Sequence, residues 1–167
     1  VCRGLENTDR RIQEAKPVTP AFLFAVLLWE PVRQRYEELV ARGLSPLEAM
    51  SQAAAEVSAQ QRPQVALPKR FALLMQEIWA LQPRLEQRQG KRPYRLVTHP
   101  RFRAAYDFLV LRAESGEADD ETAQWWTRFQ EANPQERAGM TGGSKRRRPR
   151  RRRPRRPDAA PAPTAGE

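Results

Sequence analysis

Apolar residues recur at three- and four-residue steps through most of the chain, the spacing of one face of an α-helix. The clearest stripe is Phe71, Leu74, Met75, Ile78, Leu81 and Leu85. It predicts a helix that opens at Pro68, bends at Pro83 and ends at Gly90. A second stripe, Phe102, Ala105, Tyr106, Leu109 and Ala113, predicts a helix that starts at Thr98-His99-Pro100. Upstream, Thr19-Pro20 pairs a capping hydroxyl with proline at the first helical position. The helix it opens is apolar on every side over Ala21–Trp29 and is expected to be central and buried. Pro31 should kink or break it, and the more polar Val32–Arg42 should continue to a stop at Gly43. Ser45-Pro46 with Glu48 at the capping-box position starts a helix expected to reach about Gln60, with Arg62–Leu67 a loop.

Arg3–Ala15 reads as the end of a further helix. Asp119 or Asp120 caps a last one carrying Trp125, Trp126 and Phe129, and Asn133-Pro134 closes the folded part. Adjacent helical residues point about 100° apart. Trp125 and Trp126 are therefore not expected to face inward together, while Trp29 and Trp79 read as core. No alternating run of strand length and no Asn-Gly or Asp-Gly hairpin occurs. The expected fold is all-α: an irregular array of about six helices followed by a disordered basic tail. The expected divisions are a helical body over 1–61, a second helical domain over 62–136, and a linker and Arg/Pro-rich tail over 137–167.

Charge changes this picture from a generic helical array to a polyanion binder. The 167 residues carry a net charge of +10, unevenly spread. Residues 62–103 hold ten basic residues against Glu77 and Glu86, whereas the flanking segments 1–61 and 104–143 are net acidic. Arg84, Arg88 and Lys91 fall at helical spacing on one face of a helix end, and Arg92, Arg95, Arg101 and Arg103 continue the series beyond Gly90. A groove for a phosphate backbone accounts for all seven; cations favouring a helix C-terminus account for only one or two. Tyr94 lies among these charges, suited either to stacking on a base or to packing at the rim.

The second basic signal is Lys145, Arg146, Arg147, Arg148, Arg150, Arg151, Arg152, Arg153, Arg155 and Arg156, ten cations broken by Pro149 and Pro154. No Val, Ile, Leu, Met, Phe, Trp, Tyr or Cys follows Ser144, so this stretch has nothing to bury. It binds phosphates without reading sequence.

Other chemistry is thin. One cysteine, Cys2, rules out an internal disulfide framework and a thiolate zinc cluster, and one histidine, His99, rules out a His-rich metal site. Beside a proline at an expected helix start, His99 reads as a capping or surface residue rather than a catalytic base. Glu37-Glu38 and Asp119-Asp120-Glu121 suit a polar helix face and a helix start. No glycine-rich phosphate loop occurs. The longest apolar run, Ala21–Trp29, is shorter than the roughly 18–20 residues that cross a bilayer. A reducing, aqueous compartment is expected, with no transmembrane segment and no cofactor or metal held by this chain. The chain opens with Val1 rather than Met, which reads as a processed start or a fragment with functional parts upstream.

Several of these words stand in a familiar order. Leu67-Pro68-Lys69-Arg70-Phe71, Ile78-Trp79, Arg88-Gln89-Gly90-Lys91-Arg92 and His99-Pro100-Arg101-Phe102-Arg103 through Asp107 resemble the C-terminal half of a bacterial poly(A) polymerase. Asn7-Thr8-Asp9-Arg10 followed by Pro17 through Trp29 resembles that family's body region, and Trp125-Trp126 with the Arg-rich terminus resembles its end. The resemblance covers essentially 1–156 and is most specific over 68–107. Pro83 departs from the family's helical pattern at that point.

The resemblance implies an enzyme that adds AMP from ATP to RNA 3′ ends, using Mg²⁺ on a strand-borne Asp-x-Asp in an N-terminal catalytic head. No Asp-x-Asp occurs in this chain. The resemblance therefore implies the RNA-binding body and tail of such an enzyme in the bacterial cytoplasm, inactive alone, with RNA contact at Arg84, Arg88, Lys91 and Arg92. Its partners would be single-stranded RNA 3′ ends, the catalytic head, and proteins of RNA degradation or RNA chaperones. Two rival readings use the same charges: a stand-alone RNA chaperone or ribosome-associated factor, and a helical protein–protein adaptor whose tail meets acidic partners or anionic lipid.

The tail carries the most explicit expectation. With about five or six of its cations on single-stranded phosphates, it contributes roughly −4 to the slope of log K against log salt, at about −0.7 per contact. Truncation after Gly143 should flatten the salt dependence of RNA binding and leave the melting temperature unchanged. Equal slopes for the full and truncated chains would show that the tail does not touch RNA.

Overall fold

The computed structural model describes residues 19–65 and 68–142, with only the backbone of 62–65. Among them there are eight helices and no strand: α1 (Pro20–Leu27), α2 (Trp29–Ala41), α3 (Pro46–Val65), α4 (Lys69–Leu85), α5 (Arg92–Val97), α6 (Phe102–Glu114), α7 (Asp120–Glu131) and α8 (Pro134–Met140). The all-α expectation holds. The expected helix over Arg3–Ala15 and the Arg-rich tail lie outside the described residues.

Local signals place most helix ends. Thr19 is the N-cap of α1, with Pro20 at its start. The break foreseen at Pro31 falls three residues earlier, at Leu28 between α1 and α2. A proline has no N–H for the carbonyl four residues back and its ring crowds that carbonyl, so the helix gives way in the preceding turn. α2 ends on Gly43, at φ 95°, in a Schellman motif: Gly43 N–H donates to Val40 O at 2.9 Å and Leu44 N–H to Leu39 O at 3.2 Å. Ser45 and Glu48 close the expected capping box, the Glu48 N–H donating to Ser45 Oγ at 3.4 Å and the Ser45 N–H to Glu48 Oε2 at 3.3 Å. The Ser45 hydroxyl, donating to Glu48 Oε2 at 2.6 Å, and then the Ser45 N–H hold the Glu48 carboxyl below its ordinary pKa. Asp119 caps α7, accepting from Glu121 and Thr122 N–H groups at 3.2 Å each.

Six expectations need correction. The loop expected from Arg62 is helical to Val65, since a proline in a last turn costs one hydrogen bond rather than the helix. α4 ends at Leu85, not Gly90. Pro83 offers no N–H to Trp79 O, and Gly90, at φ 67°, serves a later turn whose N–H donates to Thr141 O at 3.0 Å. The start read at Thr98-His99-Pro100 lies at Phe102, because Thr98 is occupied as the C-cap of α5. Asn133-Pro134 opens α8 instead of closing the fold, through a capping box with Glu136. The same helix takes in the first residues of the linker expected from 137, running to Met140, and Thr141 beyond it is buried. α1 buries Ala21, Phe22 and Ala25 but leaves Leu27 exposed, so it lies at an edge of the described part rather than at its centre.

The sixth correction concerns Trp125 and Trp126. Both are buried, at 8 % and 0 % exposure. Trp125 stacks on Phe129 with ring centres 4.8 Å apart, and Trp126 meets Trp125 edge-on at 5.0 Å. Helix α8 accounts for this: its Met140 joins the same cluster, and its Arg137 donates to the carbonyls of Phe129 and Gln130 at 2.8 Å each, filling acceptors that the end of α7 leaves open.

The core has two clusters. One gathers α1, α2, α3 and the first half of α4 around Trp29, Met75, Ile78 and Trp79, with Phe108 from α6. The other gathers Leu81 and Leu85 of α4 with α5, α6 and α7 around Trp126 and Phe129. α4 packs against α1, α3 and α6, and α6 against α7. Two indole donors tie α4 to its neighbours: Trp79 Nε1–H to Ala25 O at 3.1 Å and Trp126 Nε1–H to Leu85 O at 2.8 Å. Trp126→Phe keeps a large ring but leaves the buried Leu85 carbonyl without its donor. The expected loss is about 1–3 kcal/mol of unfolding free energy with helicity retained, read by urea denaturation followed by circular dichroism. An unchanged midpoint would show that the bond carries no net stability.

Candidate nucleic-acid interface

Stopping α4 at Leu85 redistributes the predicted cations. Arg84 remains in its last turn, exposed. Arg88 lies in the turn that follows, and Lys91 is the N-cap of α5, so the three do not share a helical face. Arg92 and Arg95 ride on α5. This short helix, which the spacing analysis missed, has Pro93 in its first turn and buries Pro93 and Leu96 against the second core cluster. Its Arg92-Pro93 start is the one signal that was present.

The chain turn between α4 and α5 brings Arg84, Arg92 and Arg95 to one groove of about 330 Å³, lined also by Leu47, Gln87, Leu96 and His99. Among the described residues, the side chains of Arg84, Lys91, Arg92 and Arg95 make no hydrogen bond or ion pair. Leu47, on the first turn of α3, is 39 % exposed and gives the groove an apolar wall. No sequence spacing could have joined Leu47 to α5, since a tertiary crossing brings them together. His99 accepts the Arg101 N–H on Nδ1 at 3.1 Å, a local structural bond of the kind read for it.

The other predicted cations have partners. Arg88 donates to Glu121 at 3.2 Å. Arg101 pairs with Glu77 at 3.0 Å and Arg103 with Asp107 at 3.2 Å, and both line a separate cavity of about 270 Å³ beside the start of α1. The Arg88–Glu121 and Arg101–Glu77 pairs are exposed and contribute roughly 0–1 kcal/mol, so a phosphate can compete for them, whereas Asp107 is buried and holds Arg103 more firmly. Tyr94 is divided between its two readings: it is 38 % exposed, and it meets Phe129 edge-on with ring centres 5.4 Å apart. Lys145 through Arg156 lie outside the described residues.

The arginines of α2 are committed elsewhere. Arg33 bonds Glu30 and Glu37 at 2.7 Å each, and Arg35 bonds Glu38 at 2.7 Å and Glu56 at 2.5 Å. Both guanidinium groups are held above their ordinary pKa, by Glu30 and Glu56 first. Glu30 and Glu56 are correspondingly held low by the same arginines. A magnesium ion of the kind the resemblance implies finds no fitting donors here. Among the described residues no three His, Cys, Asp or Glu side chains converge, and the Asp119 carboxylate is spent on capping α7. No helix among them is long and apolar enough to cross a membrane.

Comparison with known proteins bears on this arrangement. A family model described as the polymerase A arginine-rich C-terminus matches residues 42–158, which contain the groove and the basic run. Poly(A) polymerase I of Salmonella typhi is 40 % identical, the similarity covering 93 % of this chain and 36 % of that protein. Poly(A) polymerase I of Escherichia coli O157:H7 is 39 % identical over the same shares, 93 % and 36 %. That of Haemophilus influenzae is 35 % identical, over 90 % of this chain and 34 % of its own length. The chain thus spans about a third of the length of these relatives. It belongs to the family of arginine-rich C-terminal regions of bacterial poly(A) polymerases.

Proposed function

We propose that this chain is the RNA-holding part of an enzyme that adds AMP from ATP to RNA 3′ ends. The observation that carries the reading is the groove between α3, α4 and α5. Arg84, Arg92 and Arg95 meet there without carboxylate partners, and Lys91 stands at the entrance to α5. Cations that give up no ion pair on binding gain the full release of counterions from RNA. Leu47 and Leu96 provide an apolar wall against which the flat side of a base can lie. Arg88 and Arg101 extend the path once phosphates displace the exposed Glu121 and Glu77, and Arg103, 65 % exposed, adds its charge while still paired with Asp107. The basic run from Lys145 to Arg156 adds sequence-independent attraction.

In this proposal the nucleotidyl-transfer chemistry, its ATP and its Mg²⁺ belong to a catalytic head outside the chain. Asp119 is spent on capping α7, Glu37 is paired with Arg33, and no two aspartates have the Asp-x-Asp spacing. The cytoplasm of a bacterium and partners from RNA degradation belong to the same proposal. What this chain contributes is position. A 3′ end held along the groove stays near the head between additions, and the grip is indifferent to sequence because phosphates carry none.

Two outcomes are expected. The isolated chain should incorporate no labelled AMP into RNA at any Mg²⁺ concentration; adenylation by the pure chain would overturn the division of labour. Replacing Arg84, Lys91, Arg92 and Arg95 by alanine should lower affinity for several unrelated single-stranded RNAs by a similar factor. The slope of log K against log salt should become less steep by about 3, at roughly −0.7 per lost phosphate contact. Helicity should be unchanged, since all four side chains are exposed. Retained RNA affinity in a folded quadruple variant would show that the groove does not hold the backbone.

A further inference from the structure

Helix α8 ends against the turn that builds the groove, and its end is tied down from several sides. Arg137 bonds the carbonyls of Phe129 and Gln130, and Met140 packs in the second core cluster. Thr141 is 4 % exposed, and its hydroxyl donates to Arg137 O at 3.0 Å. Its carbonyl leaves the helix altogether and accepts the Gly90 N–H at 3.0 Å. Gly90 immediately precedes Lys91, the N-cap of α5, and Arg92 one residue on lines the groove. The last described turn of the chain is therefore fastened beside the α4–α5 turn, a contact between residues about fifty apart in sequence.

This contact fixes where the basic run begins. Lys145 follows Gly142 by three residues, and three residues span at most about 11 Å. The run is thus rooted within that reach of the end of α8. From Lys145 to Arg156 no acid intervenes, and the next carboxylate downstream is Asp158. At the turn itself, over 86–91, the single acid Glu86 is outnumbered by Arg88 and Lys91. Arg84, Lys91, Arg92 and Arg95 beside it make no ion pair among the described residues. Charges of one sign brought together repel, so electrostatics opposes this placement. The packing of α8 imposes it. A polyanion lying across both groups turns the repulsion into attraction and releases counterions at each.

We infer that the groove and the basic run form one continuous track for a single RNA strand, the run taking the phosphates next to those held by Arg84, Lys91, Arg92 and Arg95. This inference rests on the RNA reading given above and adds to it an order along the strand and a role for α8. Once the groove holds a strand, the adjoining phosphates lie near Lys145. The second contact is then intramolecular, with an effective concentration set by the short tether from Gly142. A run rooted elsewhere would carry the same charge without that gain. The track also sets a length, because a strand too short to cover both elements uses only one of them.

The test moves the root of the run without changing its charge. Inserting a Gly/Ser segment of about twenty residues after Gly143 should weaken binding of a single-stranded RNA 16-mer about ten-fold, since effective concentration falls with roughly the −3/2 power of tether length. Binding of an RNA tetramer should not change. The same insert after Ala160, beyond the run, should change neither, and the melting temperature should be that of the whole chain in both. Should the insert after Gly143 lower the melting temperature, truncation at that point decides instead: it should cost the 16-mer about ten-fold more affinity than the tetramer, and an equal loss for the two would overturn the inference. Unchanged 16-mer affinity in a folded insert variant, with truncation still weakening binding, would show that the run acts from any position and overturn the inference while the RNA reading stands. Truncation without effect would show that the run does not touch RNA, which also overturns it and leaves the groove. A whole chain that binds neither strand would overturn the RNA reading itself, and this inference with it.

Discussion

The end of α4 is the constraint on which the rest of this structure depends. Pro83 removes one donor from the ladder, and the helix stops two residues later. Its last carbonyl, on Leu85, would be orphaned in the interior, and the Trp126 indole N–H fills it at 2.8 Å. That bond fixes where α7 sits, and the Trp126 ring then packs on Phe102 of α6 at 5.3 Å. Gln82, one residue before the proline, donates to Ile78 O and Ala105 O at 3.1 Å each and so joins α4 to α6. A helix continued to Gly90 would carry Arg88 on its surface and leave no turn to bring Arg92 and Arg95 beside Arg84.

Ends governed by neighbouring residues were legible from the chain; ends governed by distant ones were not. Thr19-Pro20, Ser45 with Glu48, Gly43 and Asp119 each act within a few residues, and each stands where the pattern places it. Gly90 and Asn133-Pro134 misled because their local meaning is double. A glycine that ends helices also makes turns, and Gly90 serves one that reaches Thr141. A proline after asparagine stops one helix and starts the next, and only the Glu136 side chain, returning to the Asn133 N–H at 2.9 Å, decides. With α8 unseen, Trp125 had no visible cover, and the expectation that the two tryptophans would not both face inward rested on the angle between helical neighbours alone.

The candidate site was legible as charge and not as geometry. Ten cations against two acids over residues 62–103 concentrate positive charge in that segment. Which of those cations have carboxylate partners depends on helices far apart in sequence. Glu121 of α7 reaches Arg88, and Glu77 of α4 reaches Arg101. Arg112 was invisible for a stronger reason. Between Leu111 and Ala113 it interrupts an apolar stripe, and nothing in the spacing says that its guanidinium turns inward over Trp29.

The same helix end explains why an unsatisfied group persists beside a basic groove. A buried arginine is tolerated when every N–H has an acceptor, and Arg112 has acceptors for two of its nitrogens. One acceptor, Gln82, is held in place by its own bonds to α4 and α6, so the guanidinium cannot turn to find another without losing Gln82 or the Trp29 face. The open Nε–H is therefore fixed in direction by the bonds that define the end of α4. The groove arginines are the opposite case: exposed and without ion-pair partners among the described residues, they suit a backbone whose phosphates pass in any register.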